Sequence, residues 1–221
     1  MKNSQQQPSL QEELALFEQG YSFIAGLDEV GRGCLAGPVV AAAVVLPLDD
    51  SAATMGNLAG VNDSKQLTAT RREALYDVIM QHALAIGVGV GSVELIDERN
   101  ILNATKYAMR SALTQLHVTP QALLLDALYL RDVALPQRSI IKGDARCLSI
   151  AAASVIAKVT RDRMMLDLHA AYPLYGFDQH KGYGTPAHVQ ALRTHGVTPL
   201  HRRSFAPVRE QLFGLFADLD V

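Results

Sequence analysis

The chain has 221 residues, a formal net charge of −2, 49% apolar residues and 19% charged residues, an ordinary globular composition with room for one domain and a real core. The longest apolar run, residues 38–48, is too short to span a bilayer, and the polar opening MKNSQQQPSLQEE has no apolar signal core, so a cytoplasmic location is expected rather than export. Cys34 and Cys147 are too few for a disulfide framework and suit a reducing compartment.

Residues 1–20 read as a polar N-terminal arm or short helix with little core-forming potential. Residues 21–30 (YSFIAGLDEV) and 38–47 (PVVAAAVVLP) are apolar and β-branched, and the glycine-rich GRGCLAG between them predicts a tight turn joining two strands. Residues 49–62, rich in Asp, Ala and Gly, predict a loop. Thr70 followed by Glu73 fits a capping box ahead of a helix whose inner face carries Leu75, Val78 and Ile79. Residues 83–93 (ALAIGVGVGSV) alternate glycine with apolar residues, predicting a third strand on which another backbone packs closely.

Farther along, Ile101, Leu102, Ala108, Met109, Ala112, Leu113 and Leu116 recur at helical spacing. Residues 122–128 (ALLLDAL) and 139–144 (SIIKGD) predict two more strands. Residues 149–170 predict an alanine-rich helix with Ser154, Lys158 and Arg161 on one face. From Pro186 the chain reads as helical, with a loop at 198–205. The expected fold class is α/β: a mixed sheet flanked by helices, with a helical C-terminal extension.

Four acids sit where acids do not belong. Asp28 and Glu29 end the run FIAGL, Asp126 interrupts LLLDAL, and Asp144 ends SIIKG. A buried carboxylate needs a cation, hydrogen bonds or a metal. A single one is most often a structural acceptor, but four acids at three strand ends, with few basic residues in those strands, point to a divalent cation. The seven histidines are scattered and no CxxC occurs, which excludes a zinc-type cluster. Carboxylate clusters on Mg²⁺ serve phosphoryl transfer, in which two ions clamp the attacking and leaving oxygens. Charge distribution is compatible with a polyanionic substrate. Residues 1–141 carry 10 Lys/Arg against 15 Asp/Glu, whereas residues 142–209 carry 10 Lys/Arg against 4 Asp, a local excess of six positive charges that fits a nucleic-acid surface and a solvated helix face equally well.

Several segments now combine: FIAGLDEVGRGCLAGPVVAAAVVLP (23–47), NDSKQL (62–67), IDERNILNAT (96–105), KGDARCLSIAAASVIAKVTRDR (142–163), YGFDQHKGYGT (175–185) and HRRSF (201–205). Their sequence and order resemble type 2 ribonuclease H, the ribonuclease HII family, over residues 21–212. The resemblance implies a ribonuclease H-like domain over residues 21–215, with its helical C-terminal region from about residue 165. It implies a metal-dependent endonuclease acting on RNA–DNA hybrids and at ribonucleotides embedded in duplex DNA, working as a monomer with two Mg²⁺ or Mn²⁺ ions. Position by position, it assigns Asp28, Glu29, Asp126 and Asp144 as catalytic metal ligands, Gly31, Arg32 and Gly33 as the loop sensing the 2′-hydroxyl, and Tyr183 as the aromatic packing on the neighbouring deoxyribose. Ser64, Lys65, Lys142, Ser154, Lys158 and Arg161 become candidate backbone contacts. Cys34 departs from the proline usual after the loop, which bears on the loop's stiffness.

Blander readings accompany these. GRGCLAG is one residue off a dinucleotide fingerprint and leads into a strand, so it is discarded. Ser64 and Lys65 alone would be a turn before a helix, and Tyr183 alone a core aromatic. Asn100 either touches nucleic acid or bonds within its helix start, and His201, Arg202 and Arg203 either reach phosphate or brace the C-terminal extension. Two rivals share the fold: a nuclease indifferent to the 2′-hydroxyl, and a non-catalytic nucleic-acid binding module.

Overall fold

The structure, a computed structural model, describes residues 7–217. Residues 1–6 of the expected N-terminal arm and 218–221 of the tail lie outside the described residues. Five strands form one sheet in the order β3-β2-β1-β4-β5: β1 (Ile24–Val30), β2 (Val39–Val45), β3 (Ala85–Gly91), β4 (Ala122–Asp126) and β5 (Gln137–Ile140). β1, β2 and β3 pair antiparallel, while β4 joins β1, and β5 joins β4, in parallel. The sheet is therefore mixed, as its sequence predicts.

Both faces are covered. Val40, Ala42, Val44 and Leu124 turn toward the long helix α5 (Leu148–Ala171) and α3 (Ala69–His82). Val39, Ala41, Val45, Leu123 and Leu125 turn toward α4 (Val93–Thr114). Burial on two sides explains why β2 reads as an unbroken apolar run rather than an alternating one. The alanine-rich start of α5 lies tight against β1, since a Cβ on Gly26 would come within 2.4 Å of the Ser149 backbone. The glycines of β3 do the same for α4: a Cβ at Gly87 or Gly89 would lie 2.0 Å from the Ala112 or Ala108 carbonyl oxygen. This is the close backbone approach that the glycine alternation predicts.

Three local expectations change. Residues 49–62 are not all loop, because α2 (Ser51–Asn57) forms there, with the Asp50 carboxylate accepting the Ala53 N–H. The cap of α3 is Thr68, whose hydroxyl accepts the Arg71 N–H, so the helix begins before Thr70 and Glu73 pairs with Arg163 instead. The segment before β1 also joins the core. Leu10 and Leu16, flanking and within α1 (Gln11–Phe17), are buried, and Glu13 accepts the Ser149 N–H at 2.8 Å, satisfying an orphan donor in the first turn of α5. The C-terminal region is helical, comprising α6 (Phe177–His180), α7 (Pro186–His195) and α8 (Ala206–Ala217).

Candidate active site

The parallel pairing of β1 with β4 positions the first two acids. Leu27 stands opposite Leu125, so Asp28 and Asp126 follow one step later at the same end of neighbouring strands. Glu29 is next on β1. After β5 the chain turns through a left-handed Lys142 (φ 56°) into a short 3₁₀ turn, Gly143–Ala145, which carries Asp144. The Asp126 carboxylate ties that turn down by accepting the Gly143 N–H at 2.8 Å. One edge of the sheet thus gathers all four acids.

Their environment is crowded with negative charge. Asp28, 4% exposed, is held well above the usual carboxylate range by burial and then by Glu29 and Asp126, against which a hydrogen bond from Ser154 works in part. Burial also raises Glu29, opposed by Arg32, and raises Asp144 together with Asp63 and Asp126. The compensation is thin. Arg32 reaches Glu29 at 3.3 Å, and Lys65, whose own side chain is 75% exposed, reaches Asp144 at 3.6 Å. Burial works against the Lys65 ammonium, yet Asp28, Asp144, Asp63 and Asp126 raise its pKa overall. Glu29 Oε2 is buried and has no hydrogen-bond partner among the described residues.

The donor set is all hard carboxylate oxygen, its charge is under-compensated, and one buried oxygen is orphaned. These residues fit an oxygen-seeking divalent cation. Among the described residues, no group of three or more His, Cys, Asp or Glu side chains is already set to hold a metal ion; Asp126 and Asp144 border an open cleft that Asp63, Lys65 and Lys142 also line. Open borders suit Mg²⁺, which takes one or two carboxylates and shares the rest of its shell with water and substrate phosphate.

The loop Gly31-Arg32-Gly33 leads away from Glu29. Gly31 sits at φ +94°, and a Cβ there would lie 2.2 Å from the Arg161 guanidinium, so only glycine fits. Gly33 faces open space. Arg161, expected on the substrate-facing side of α5, is fully buried. Its guanidinium donates to the carbonyls of Pro38, Ala36 and Lys181, leaving no face for a phosphate. Arg202 is its counterpart, fully buried and donating to the carbonyls of Gly37 and Arg32. Of the two readings for His201 and Arg202, bracing is the one observed. Arg203 is exposed, and its N–H donates to Asp97.

Tyr183 is half-exposed and joined to the loop by a bridge to Cys34, with Lys158 Nζ 5.7 Å and Arg161 5.9 Å from its ring centre. Lys158 pairs with Asp162 at 2.7 Å, and both line a separate cleft with Tyr183. Ser64 and Ser154, expected as substrate contacts, are buried and bonded to each other through their hydroxyls at 2.8 Å, behind Asp28. Lys142 is exposed at the cleft. Asn100 bonds within its helix, accepting the Asn103 N–H at 3.1 Å where α4 kinks. Sequence reasoning missed Asp63, which caps the turn carrying Lys65 and adds negative charge beside Asp144. It also missed Glu13. Asp63 had a visible signal, an Asp just before Ser-Lys; Glu13 depends on long-range packing.

Comparison with known proteins establishes the family. The family model described as Ribonuclease HII matches residues 25–208. The chain belongs to the ribonuclease HII family. Ribonuclease HII of Bacillus mycoides (strain KBAB4) is 56% identical over 197 residues, covering 89% of this chain and 74% of that protein. The crystal structure of ribonuclease H2 from Pyrococcus horikoshii OT3 superposes with a TM-score of 0.73 at 28% identity, covering 88% of this chain and 99% of the other. Ribonuclease HII of Archaeoglobus fulgidus, solved in complex with PCNA, gives 0.69 at 28% identity over 83% of this chain and 95% of the other. As a ribonuclease HII, the chain is a metal-dependent endoribonuclease that acts on the RNA strand of RNA–DNA hybrids. No helix among the described residues is long and apolar enough to cross a membrane.

Proposed function

We propose that this ribonuclease HII cuts on the 5′ side of single ribonucleotides embedded in duplex DNA as well as along hybrids, leaving 5′-phosphate and 3′-hydroxyl ends, with Asp28, Glu29, Asp126 and Asp144 holding two Mg²⁺ or Mn²⁺ ions. The observation that carries it is the crowding of under-compensated carboxylates at one sheet edge, with Asp28, Glu29 and Asp144 all raised and Glu29 Oε2 unpartnered among the described residues. Divalent ions bound there supply charge neutralisation of the phosphoryl oxygens and an activated water at neutral pH.

The chain's own residues bind, orient and discriminate. The Gly31-Arg32-Gly33 backbone approaches the ribose, where the 2′-hydroxyl separates RNA from DNA. Tyr183 packs its ring on the adjacent deoxyribose, and Lys158 beside it meets a phosphate. Lys65 and Lys142, exposed at the cleft, hold the backbone flanking the cut. Ser64 and Ser154 act behind the site, keeping Asp28 oriented. Arg161 contributes by fixing the loop. Two buried thiols, Cys34 and Cys147, suit a cytoplasmic repair enzyme working as a monomer.

The test is a duplex carrying one ribonucleotide, incubated with and without Mg²⁺, with the cut mapped to the nucleotide. Incision 5′ to the ribonucleotide only with metal is expected. Equal cutting of an all-DNA duplex contradicts the reading and favours a nuclease indifferent to the 2′-hydroxyl.

A further inference from the structure

A second basic cleft lies on the far side of the sheet from α5. About 530 Å³ in volume, it is bordered by α4 and by the segment between β4 and β5, and Arg99, Lys106, Arg110 and Arg131 line it with a single acid, Asp132. Among the described residues, only Arg110 is committed, to Asp132 at 3.3 Å. Tyr107, 49% exposed, stands among these cations. Asn103, Lys106 and Arg110 follow at spacings of three and four, so one helical face presents them.

Topology connects this cleft to the carboxylate edge. Gly91, which closes β3, pairs with Val39, next to the Val30–Val40 pair at the end of β1, so α4 starts at the edge where Asp28 and Glu29 stand. The other rim begins at Asp126 itself: Arg131 follows it by five residues, which limits their separation to roughly 18 Å, about five base-pair steps of a duplex. Arg99 lies just before the kink at Asn100, and the row from Asn103 to Arg110 beyond it extends roughly 10 Å along the helix. Uncommitted cations with an interleaved aromatic, beginning at the reacting edge, match the phosphate backbone of a nucleic acid.

We propose that this cleft is a second binding surface, holding the backbone of the substrate duplex several base pairs from the cut through Arg99, Lys106 and Arg131. It rests on the reading of the carboxylate edge as the cutting site. Such contacts position the duplex and strengthen binding without reading sequence.

The experiment measures kcat and KM for hybrids of about 24 and about 8 base pairs between 50 and 200 mM KCl, with wild type and the combined Arg99→Ala, Lys106→Ala, Arg131→Ala variant. Each lost phosphate contact lowers the slope of log affinity against log salt by roughly 0.9. The variant is expected to lose about two to three such increments on the long hybrid, through KM, with kcat and the short hybrid unchanged and an unaltered melting temperature. Keeping the positive charge by Arg131→Lys in place of Arg131→Ala should recover about one increment. A wild-type slope on the long hybrid overturns the proposal, as does an equal loss on both lengths. Lost binding of polyglutamate with unchanged hybrid kinetics also overturns it, marking an acidic-protein surface instead. Cutting of the short hybrid by a wild type that leaves a single-ribonucleotide duplex intact contradicts the functional reading alone.

Discussion

At the residue scale, the site separates groups that meet substrate from groups that hold them in place. Ser154 donates toward Asp28 and shares a buried hydrogen bond with Ser64. Ser154→Ala should lower cleavage roughly 10–100-fold, the range seen when an outer partner of a metal ligand is lost, while steady-state kinetics on the hybrid keep KM near wild type. Tyr183→Ala should weaken cutting at a lone ribonucleotide more than along a continuous hybrid, because the sugar it covers is deoxyribose only in the former; equal losses on both substrates would remove that role. Asp28, Glu29 and Asp126 were legible in the sequence because a charge at the end of an apolar strand is conspicuous, whereas Asp144, expected to end a strand over 139–144, lies in the 3₁₀ turn after β5. Arg161 was misjudged. Its position on one helical face with Ser154 and Lys158 was inferred correctly, but a face says nothing about which buried carbonyls a long side chain reaches. Three such carbonyls absorb its guanidinium.

At the scale of elements, glycine decides how closely helix and strand approach. Gly89→Ala on β3 forces a methyl into the Ala108 carbonyl of α4 and should destabilise the fold by about 1–3 kcal/mol or more. Gly56→Ala in α2, where a Cβ meets nothing within 4 Å, should instead stabilise by about 0.5–1 kcal/mol. Urea unfolding midpoints of the two variants should therefore move in opposite directions. The strands were readable because two-sided burial leaves long apolar runs ended by acids or glycines. α2 was not: SAATMGN buries only Thr54, so it shows no apolar stripe, and its sole signal is the Asp50 cap. The start of α3 was misplaced by two residues because Thr68 and Thr70 are both plausible caps; Glu73 finds Arg163 ninety residues on rather than closing a box.

At the scale of the whole molecule, a buried histidine and the three raised carboxylates pull stability in opposite directions. Beneath the Tyr183 loop, His188 bonds His201 at 3.2 Å and stacks on His180 with ring centres 4.3 Å apart. Burial, and then His188, lower His201 to about 4. The unfolded chain takes up this proton first as pH falls, so the contribution is intact above the ordinary imidazole value and drains away down to about 4, on the order of 3 kcal/mol in all. Urea unfolding across this range should show that loss, and His201→Phe should blunt it. The raised carboxylates act the other way. Folded Asp28, Glu29 and Asp144 hold protons longer than their unfolded counterparts, so without metal their contribution is present at low pH and lost as pH rises through their folded values. Added Mg²⁺ should therefore raise the melting temperature at neutral pH and do so progressively less as these acids protonate.

The convergence of Asp28, Glu29, Asp126 and Asp144 on bound cations is tested most directly by titrating Mn²⁺ into the protein, with and without a non-cleavable single-ribonucleotide duplex, for wild type and Asp126→Asn. Wild type should bind two ions in the presence of duplex, and the variant should bind them far more weakly while melting at an unchanged or higher temperature. Equal stoichiometry and affinity in the two proteins would contradict a shared carboxylate site.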